Sequence, residues 1–283
     1  MWMRHAAGHT QSRDSSGQLQ TQANRYVMQL GGDIAQWSRD ESDRWHLGLM
    51  AGYGNSHNNT RSSVTNYRAD SSISGYSLGA YGTWQQDEGE NTGAYVDTWA
   101  LYNWFNNKVK GEDLSGESYQ SKGWTASVET GYTYKLNEFT GSHGSLNSWF
   151  IQPQAQIVWM GVTADSHTES NGTPVSSYGD GNLLTRLGIR SFMKGHHKMD
   201  DNKGNEFEPF IEVNWLHNTK SFGTKMGDTK IEQAGTKNIG EIKVGVESQI
   251  KTSLNLWGNI AAQVGDQGYN DSLFMVGIKY NFK

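Results

Sequence analysis

Ser272–Lys283 reads SLFMVGIKYNFK, in which every second residue is apolar, from Phe274 through Val276, Ile278 and Tyr280 to Phe282. Met275, Gly277, Lys279 and Asn281 occupy the alternate positions. A strict period of two puts these sets on opposite faces of a strand. An unbroken apolar face that ends on an aromatic suits a strand with lipid on one side and a polar lumen on the other, as in a transmembrane β-barrel.

Bulk composition alone would argue for a soluble chain: mean hydropathy is -0.73, with 35% hydrophobic and 19% charged residues. No run of eighteen apolar residues offers a spanning helix. A barrel is untouched by that test, because a strand crosses in about 9–11 residues and only alternate side chains meet lipid. The 11 Trp and 13 Tyr suit the two membrane interfaces, where a ring with a polar tip is half solvated. The absence of Cys excludes a disulfide framework and thiolate metal sites. Net charge is -5 and the 24 Lys and Arg form no basic block, which speaks against a nucleic-acid partner. A length of 283 residues fits one large β domain, residues 1–283. The sequence opens on Met1-Trp2-Met3-Arg4, already strand-like and without a charged n-region and apolar h-region, so we expect the C-terminal piece of something longer.

Period-two segments separated by Gly, Ser, Asn and Asp recur throughout. Twelve are expected: Trp2–His9, Gln22–Trp37, Arg44–His57, Ser71–Gln85, Thr92–Lys110, Tyr119–Leu136, Ser148–Ala164, Asn182–Lys194, Glu206–His217, Asn238–Ile250, Ser253–Val264 and Ser272–Phe282. The expected fold is therefore all-β, a twelve-stranded antiparallel transmembrane β-barrel with a polar lumen. Five connections are long and polar (GHTQSRDSSGQLQT, SHNNTRSSVTNYRAD, KGEDLSGESYQ, ADSHTESNGTPVSSYGDGN and KSFGTKMGDTKIEQAGT), whereas SRDES, QQDEGENT and KTSLN are short. Long loops face outward and short turns face the periplasm in such barrels, so both termini are expected in the periplasm. Asn137–Asn147 and Gly195–Asn205 are longer than that rule prefers.

Charges assign the faces, because Arg or Lys at the bilayer midplane costs roughly 2–4 kcal/mol. In the second segment Tyr26, Met28, Leu30 and Ile34 face lipid, which turns Arg25, Gln29 and Asp33 inward. Trp45, Leu47, Leu49 and Tyr53 likewise point out, with His46, Gly48, Met50 and Gly52 inside. Asp97 fixes the fifth register, with Tyr95 and Trp99 inward and Tyr102 and Trp104 outward. The same logic brings Arg4, Ser127, Glu129, Lys135, Gln152, Gln154, Gln156, Arg186 and Arg190 into the lumen. Glu208, Glu212, Asn214, Glu241, Lys243, Glu247, Asn255, Asn259, Gln263 and Lys279 join them. A soluble β-sandwich or small barrel would fill that face with Leu, Ile and Val.

Several segments then carry a resemblance: NRYVMQLGGDIAQW (Asn24–Trp37), RWHLGLMAGYG (Arg44–Gly54), TGAYVDTWALYNWF (Thr92–Phe105), PQAQIVW (Pro153–Trp159), RLGIR (Arg186–Arg190), EVNWLHN (Glu212–Asn218) and LNLWGNIAAQVGDQGYND (Leu254–Asp271). With the C-terminal ending, they resemble the translocator domain of autotransporters of Gram-negative bacteria (type V secretion), within it the branch of the adhesin involved in diffuse adherence. The resemblance covers nearly the whole chain. It implies a monomeric barrel that anchors in the outer membrane, exports an upstream passenger, an adhesin, and holds an α-helical linker in its pore. The implied partners are that passenger and linker, outer-membrane lipid and lipopolysaccharide, the barrel assembly machinery and periplasmic chaperones. The lipid face Phe274, Val276, Ile278, Tyr280 and Phe282 would be the assembly signal, and the inward charges would contact linker or passenger. Two departures stand out: Lys283 follows the terminal aromatic, and Trp2 already belongs to the first strand, leaving no linker helix ahead of it. No nucleotide or other cofactor is expected, and energy for export would come from passenger folding outside and from assembly.

Enzymatic alternatives have weaker support. A phospholipase needs Ser activated by His on the outer wall, but His46 turns inward and His217 has no matched Ser. Asp165, His167 and Glu169 suggest a protease rim, although polar loops collect such groups by chance. Adjacent His196 and His197 point apart, so a metal site with Asp200 and Asp201 is not expected. Self-cleavage of the linker could use Asp97, Glu129, Glu212 or Glu241, but a charge network that positions the linker is the simpler role. Gly52–Gly54 and Leu78–Gly82 sit in mid-strand and leave lumen space rather than cradle phosphate. Asn58-Asn59-Thr60 and Asn171-Gly172-Thr173 match a glycosylation pattern only weakly. A free-standing porin remains the other barrel alternative.

Overall fold

Alternation of apolar and polar side chains over such lengths satisfies two solvents at once, and the chain accordingly forms almost nothing but strands. The structure, a computed structural model, describes residues 1–39, 42–87, 92–141, 144–196 and 205–281. Its strands are β1 (Trp2–Arg13), β2 (Leu19–Trp37), β3 (Asp43–Ser62), β4 (Arg68–Gln86), β5 (Gly93–Gly111), β6 (Glu117–Thr140), β7 (Leu146–Met160), β8 (Thr163–Ala164), β9 (His167–Thr168), β10 (Pro174–Tyr178), β11 (Asn182–Gly195), β12 (Glu206–Asn218), β13 (Gly223–Met226), β14 (Thr229–Glu232), β15 (Asn238–Lys251), β16 (Leu254–Gly265) and β17 (Asn270–Tyr280).

Twelve of them, all but β8, β9, β10, β13 and β14, form one closed antiparallel barrel in which β5 pairs with β6 and β1 with β17. The β1–β17 seam runs in register from Trp2 opposite Lys279 to Gln11 opposite Asn270. The Met1 nitrogen adds a hydrogen bond to the Tyr280 carbonyl at 2.8 Å. Register shifts fall at Asp33/Ala35, Lys135/Asn137 and Gln249/Lys251. All three lie toward the end that holds the termini, where bulges commonly bend a barrel rim.

The outer wall is apolar and exposed: Leu78 is 58% and Val213 57% accessible. Aromatics band it at two heights. Tyr53, Tyr76, Trp104, Tyr102 and Trp124 form a continuous chain of ring contacts toward the far end, and Trp37, Trp45 and Trp84 form another near the termini. Two rings of amphipathic aromatics separated by aliphatic residues are how such a wall matches both membrane interfaces.

The connections differ from expectation. β1–β2, β3–β4 and β5–β6 are joined by only residues 14–18, 63–67 and 112–116, because their polar stretches continue as strand beyond the apolar band. Ladder pairing persists there without alternation, since both faces are wet. Likewise β6 reaches Thr140 and β7 begins at Leu146, which shortens the expected Asn137–Asn147 connection. β7 stops at Met160, short of Ala164, and β8 pairs separately with β6. The two remaining long connections at the far end fold together into a four-stranded sheet, ordered β14-β13-β10-β9. It is tied to the β1–β2 turn by the Ser15 amide donating to the Glu232 carbonyl and the Ala234 amide to the Arg13 carbonyl, both at 2.8 Å.

Gly79 marks one place where wall geometry tolerates no side chain. A Cβ there would lie 1.9 Å from the Ala100 carbonyl oxygen, a backbone atom that cannot move aside. At Gly54 the nearest atoms are 3.8 Å away. Gly79→Ala is expected to abolish most heat-modifiable gel migration, whereas Gly54→Ala leaves it intact.

The β1–β2 turn gives a pH-dependent expectation. Burial pushes the Asp14 carboxyl up, but hydrogen bonds from the Ser16 hydroxyl and the Leu19, Ser16 and Gln18 amides outweigh it and hold the group below its ordinary 3.8. A depressed folded-state value contributes fully above 3.8 and is lost as pH falls through the lower folded value. Hydrogen exchange should therefore show the Leu19 amide's protection factor constant between about pH 7 and 5 and falling below about pH 4, with no such fall in Asp14→Asn.

Candidate functional site

With hydrophobic residues outside, the interior is built from polar side chains that must find one another. Glu212 and Asn214 of β12 are each only 4% accessible, and Glu241 of β15 is 9%. Arg186 of β11 lies between two acids, donating Nη2 to Glu129 of β6 and Nη1 to Glu212 at 2.7 Å, while its Nε donates to Gln156 of β7 at 2.9 Å. Asn214 donates to Glu212 at 2.7 Å and to Glu241 at 2.8 Å, and Gln263 of β16 donates to Glu241 at 2.6 Å. Lys243 stands 3.5 Å from Glu212, and the Tyr95 hydroxyl donates to Glu129 at 2.8 Å. Seven strands, β5, β6, β7, β11, β12, β15 and β16, thus share one network.

Nearer the termini Arg190 bridges Glu208 and Glu247, both at 2.9 Å, with its guanidinium 4.0 Å from the Phe210 ring centroid. Phe150 and Phe192 stack beside it at 5.0 Å, and the three rings form a buried cluster on the lumen side. Polarity alone did not announce this cluster. Its signal was parity, since Phe210 lies two residues from both Glu208 and Glu212.

The opposite wall holds a second set. Arg25 makes a two-pronged pair with Asp271, both contacts at 2.6 Å, and Thr10 donates to the same carboxylate. Arg4 donates to Gln29 at 2.6 Å. Asp33 accepts from Tyr81 at 2.5 Å and meets His46 Nδ1 at 3.2 Å, while Trp2 donates its indole N–H to Tyr81. Asp97 hydrogen bonds with Thr83 and makes no ion pair among the described residues. Lys279 faces the lumen from β17, opposite Trp2. The inward residues named from sequence therefore share one interior, although as two walls rather than one site. A lumen space of about 390 Å³ lies against Tyr95, Asp97, Glu129, Arg186, Glu212 and Lys243.

At the far mouth a space of about 690 Å³ is bounded by the barrel wall, by Tyr178 and Ile231 of the small sheet and by Phe222 just before it. Burial and the neighbouring Glu232 push the Tyr178 hydroxyl up to about 12, so it stays protonated at neutral pH.

Phe274, Val276, Ile278 and Tyr280 lie exposed along one face of β17; Phe282 and Lys283 lie outside the described residues. His197, Asp200 and Asp201 also lie outside them. The rim residues do not converge: His167 stacks on Tyr119 at 4.6 Å and meets only the backbone of Asp165.

A family model described as the autotransporter beta-domain matches residues 1–261. The uncharacterized protein YuaQ of Escherichia coli (strain K12) is 59% identical over the whole of this chain, which spans 21% of that protein. YdeU of the same strain is 53% identical, with 60% of its length spanned. The autotransporter adhesin AIDA-I of Escherichia coli is 40% identical, with 22% spanned. Among solved structures, the transport unit of AIDA-I superposes with a TM-score of 0.92 at 41% identity, over 99% of this chain and 90% of that one. The Bordetella BrkA beta domain shares the fold, with a TM-score of 0.70 at 20% identity over 99% of this chain and 98% of that one.

Removing one member of a buried charge group leaves the others unpaired, at a cost of about 3–5 kcal/mol. Arg186→Met should lower stability by that order in denaturant unfolding in detergent. Adding Glu129→Gln to it should recover part of the loss, because one stranded charge disappears.

Proposed function

The chain belongs to the autotransporter beta-domain family, and on that premise we propose that residues 1–283 form a translocator that anchors in the outer membrane and passes and displays a passenger attached ahead of it. Full-length relatives are much longer than this chain, so the passenger is the part of such a protein that the barrel serves. In this reading both termini face the periplasm and the small sheet faces the outside. The passenger is an adhesin, as the name of AIDA-I says of that relative.

One observation supports the pore best: the lumen arginines Arg25, Arg186 and Arg190 pair with carboxylates of the wall itself. Arg186 places Nη1 and Nη2 on Glu212 and Glu129, Arg25 places both on Asp271, and Arg190 shares Nη2 between Glu208 and Glu247. A chain threading past meets amides and neutralised ion pairs, which can solvate a backbone without gripping any sequence. An α-helical linker would rest against the same wall, with Arg4, Asp33, His46, Asp97, Glu241, Glu247 and Lys279 among its contacts. These residues position; none is assigned a bond-breaking role.

The outward face of β17 would be read by the barrel assembly machinery, after periplasmic chaperones have kept the chain unfolded. The inserted barrel would act as a monomer, with outer-membrane lipid around it.

The test uses the full-length precursor in intact cells. Protease added outside should cleave the passenger when residues 1–283 follow it, and should spare a passenger expressed without them. Equal surface exposure of both would overturn the proposal.

A further inference from the structure

The strands β3–β6 continue past the aromatic band, and what their outward faces carry there differs from the rest of the wall. Lys108 and Lys110 of β5 and Lys122 of β6 are exposed on that face, and none makes an ion pair among the described residues. Lys122 sits opposite Trp104 and two residues beyond Trp124. At about 3.4 Å per residue and a strand tilt near 40°, its Cα stands about 5 Å above Trp124, and that of Lys108 about 10 Å above Trp104. Trp and Tyr mark the interface itself. The three ammonium groups therefore project into the layer just outside the hydrocarbon.

Lys108 and Lys110 also line a shallow outer groove of about 520 Å³, together with His57, Ser72, Ser118 and Asp70. Ser72 and Ser118 flank Lys108 in register, and Asp70 lies opposite Lys110. Two hydroxyl donors beside a cation make a phosphate-binding chemistry; of the two carboxylates in the groove, Asp70 stands opposite Lys110, while Glu117 has the opposite strand parity to Ser118 and accepts from the Ser170 amide at 2.9 Å. Lys offers a compact, mobile point charge that reaches such a group from below.

We propose that this wall of β5 and β6 is a binding surface for the phosphate groups of the outer-leaflet glycolipid, lipopolysaccharide. Lys122 would meet the phosphate nearest the acyl chains, and Lys108, with Ser72 and Ser118, the one above it. The occupant follows from height and charge together: a lipid headgroup is the anion held at this level against an apolar wall. The inference rests on outer-membrane placement with the small sheet outside, and not on export of a passenger.

The experiment takes the full-length protein extracted from outer membranes in mild detergent and titrates it with bisphosphorylated lipid A and with the same lipid lacking phosphate, reading bound lipid by native mass spectrometry. The phosphorylated lipid should bind at least tenfold more tightly, and the preference should shrink as salt rises. The variant Lys108→Gln/Lys110→Gln/Lys122→Gln should lose that preference while its passenger still reaches the cell surface. Equal binding of the two lipids by the unaltered protein would overturn the proposal whether or not the variant folds, and so would a variant that keeps the full preference. Loss of surface display in the unaltered protein would count against the export reading alone.

Discussion

Every feature of this molecule follows from the fact that backbone amides and carbonyls inside hydrocarbon have no water to bond to. An unsatisfied group there costs several kcal/mol, so an open sheet edge at that depth is excluded. The β1–β17 pairing removes the edge, with ten residues of each strand in register. Once the sheet is closed, the pleat dictates that half of the side chains meet lipid and half meet one another.

The interior solution is electrostatic rather than hydrophobic. Glu129, Arg186 and Glu212 come from three different strands, and each compensates a charge that would be costly alone. Polar residues in this lumen therefore do the positional work that Leu and Ile do in a soluble core, because each hydrogen bond fixes the relative height of the strands that carry it. The exception is the stack of Phe150, Phe192 and Phe210, which seats Arg190 against an aromatic face.

How much of this was legible in the sequence depended on where two solvents differ. Within the apolar band, alternation was decisive: Asp97 fixed β5, and Arg186 and Glu212 fixed β11 and β12 on the faces where the structure has them. Beyond the band, as at Asn58–Ser62 or Arg68–Asp70, water bathes both faces and a paired strand looks like a loop. The small sheet was invisible for another reason, since its strands are two to five residues long and pair between distant connections. The network's pairings were likewise not readable, because period two gives the face of a residue but not the neighbour it meets across the lumen.

The seam also sets an order of events. Met1 and Tyr280 touch although 279 positions separate them, and contacts of such span are the slowest a chain makes. Until the last strand arrives, β1 has an unpaired edge and the lumen has no fourth side, so a partly delivered chain is an open sheet and no pore at all. The wall is therefore closed only where its first and last strands meet.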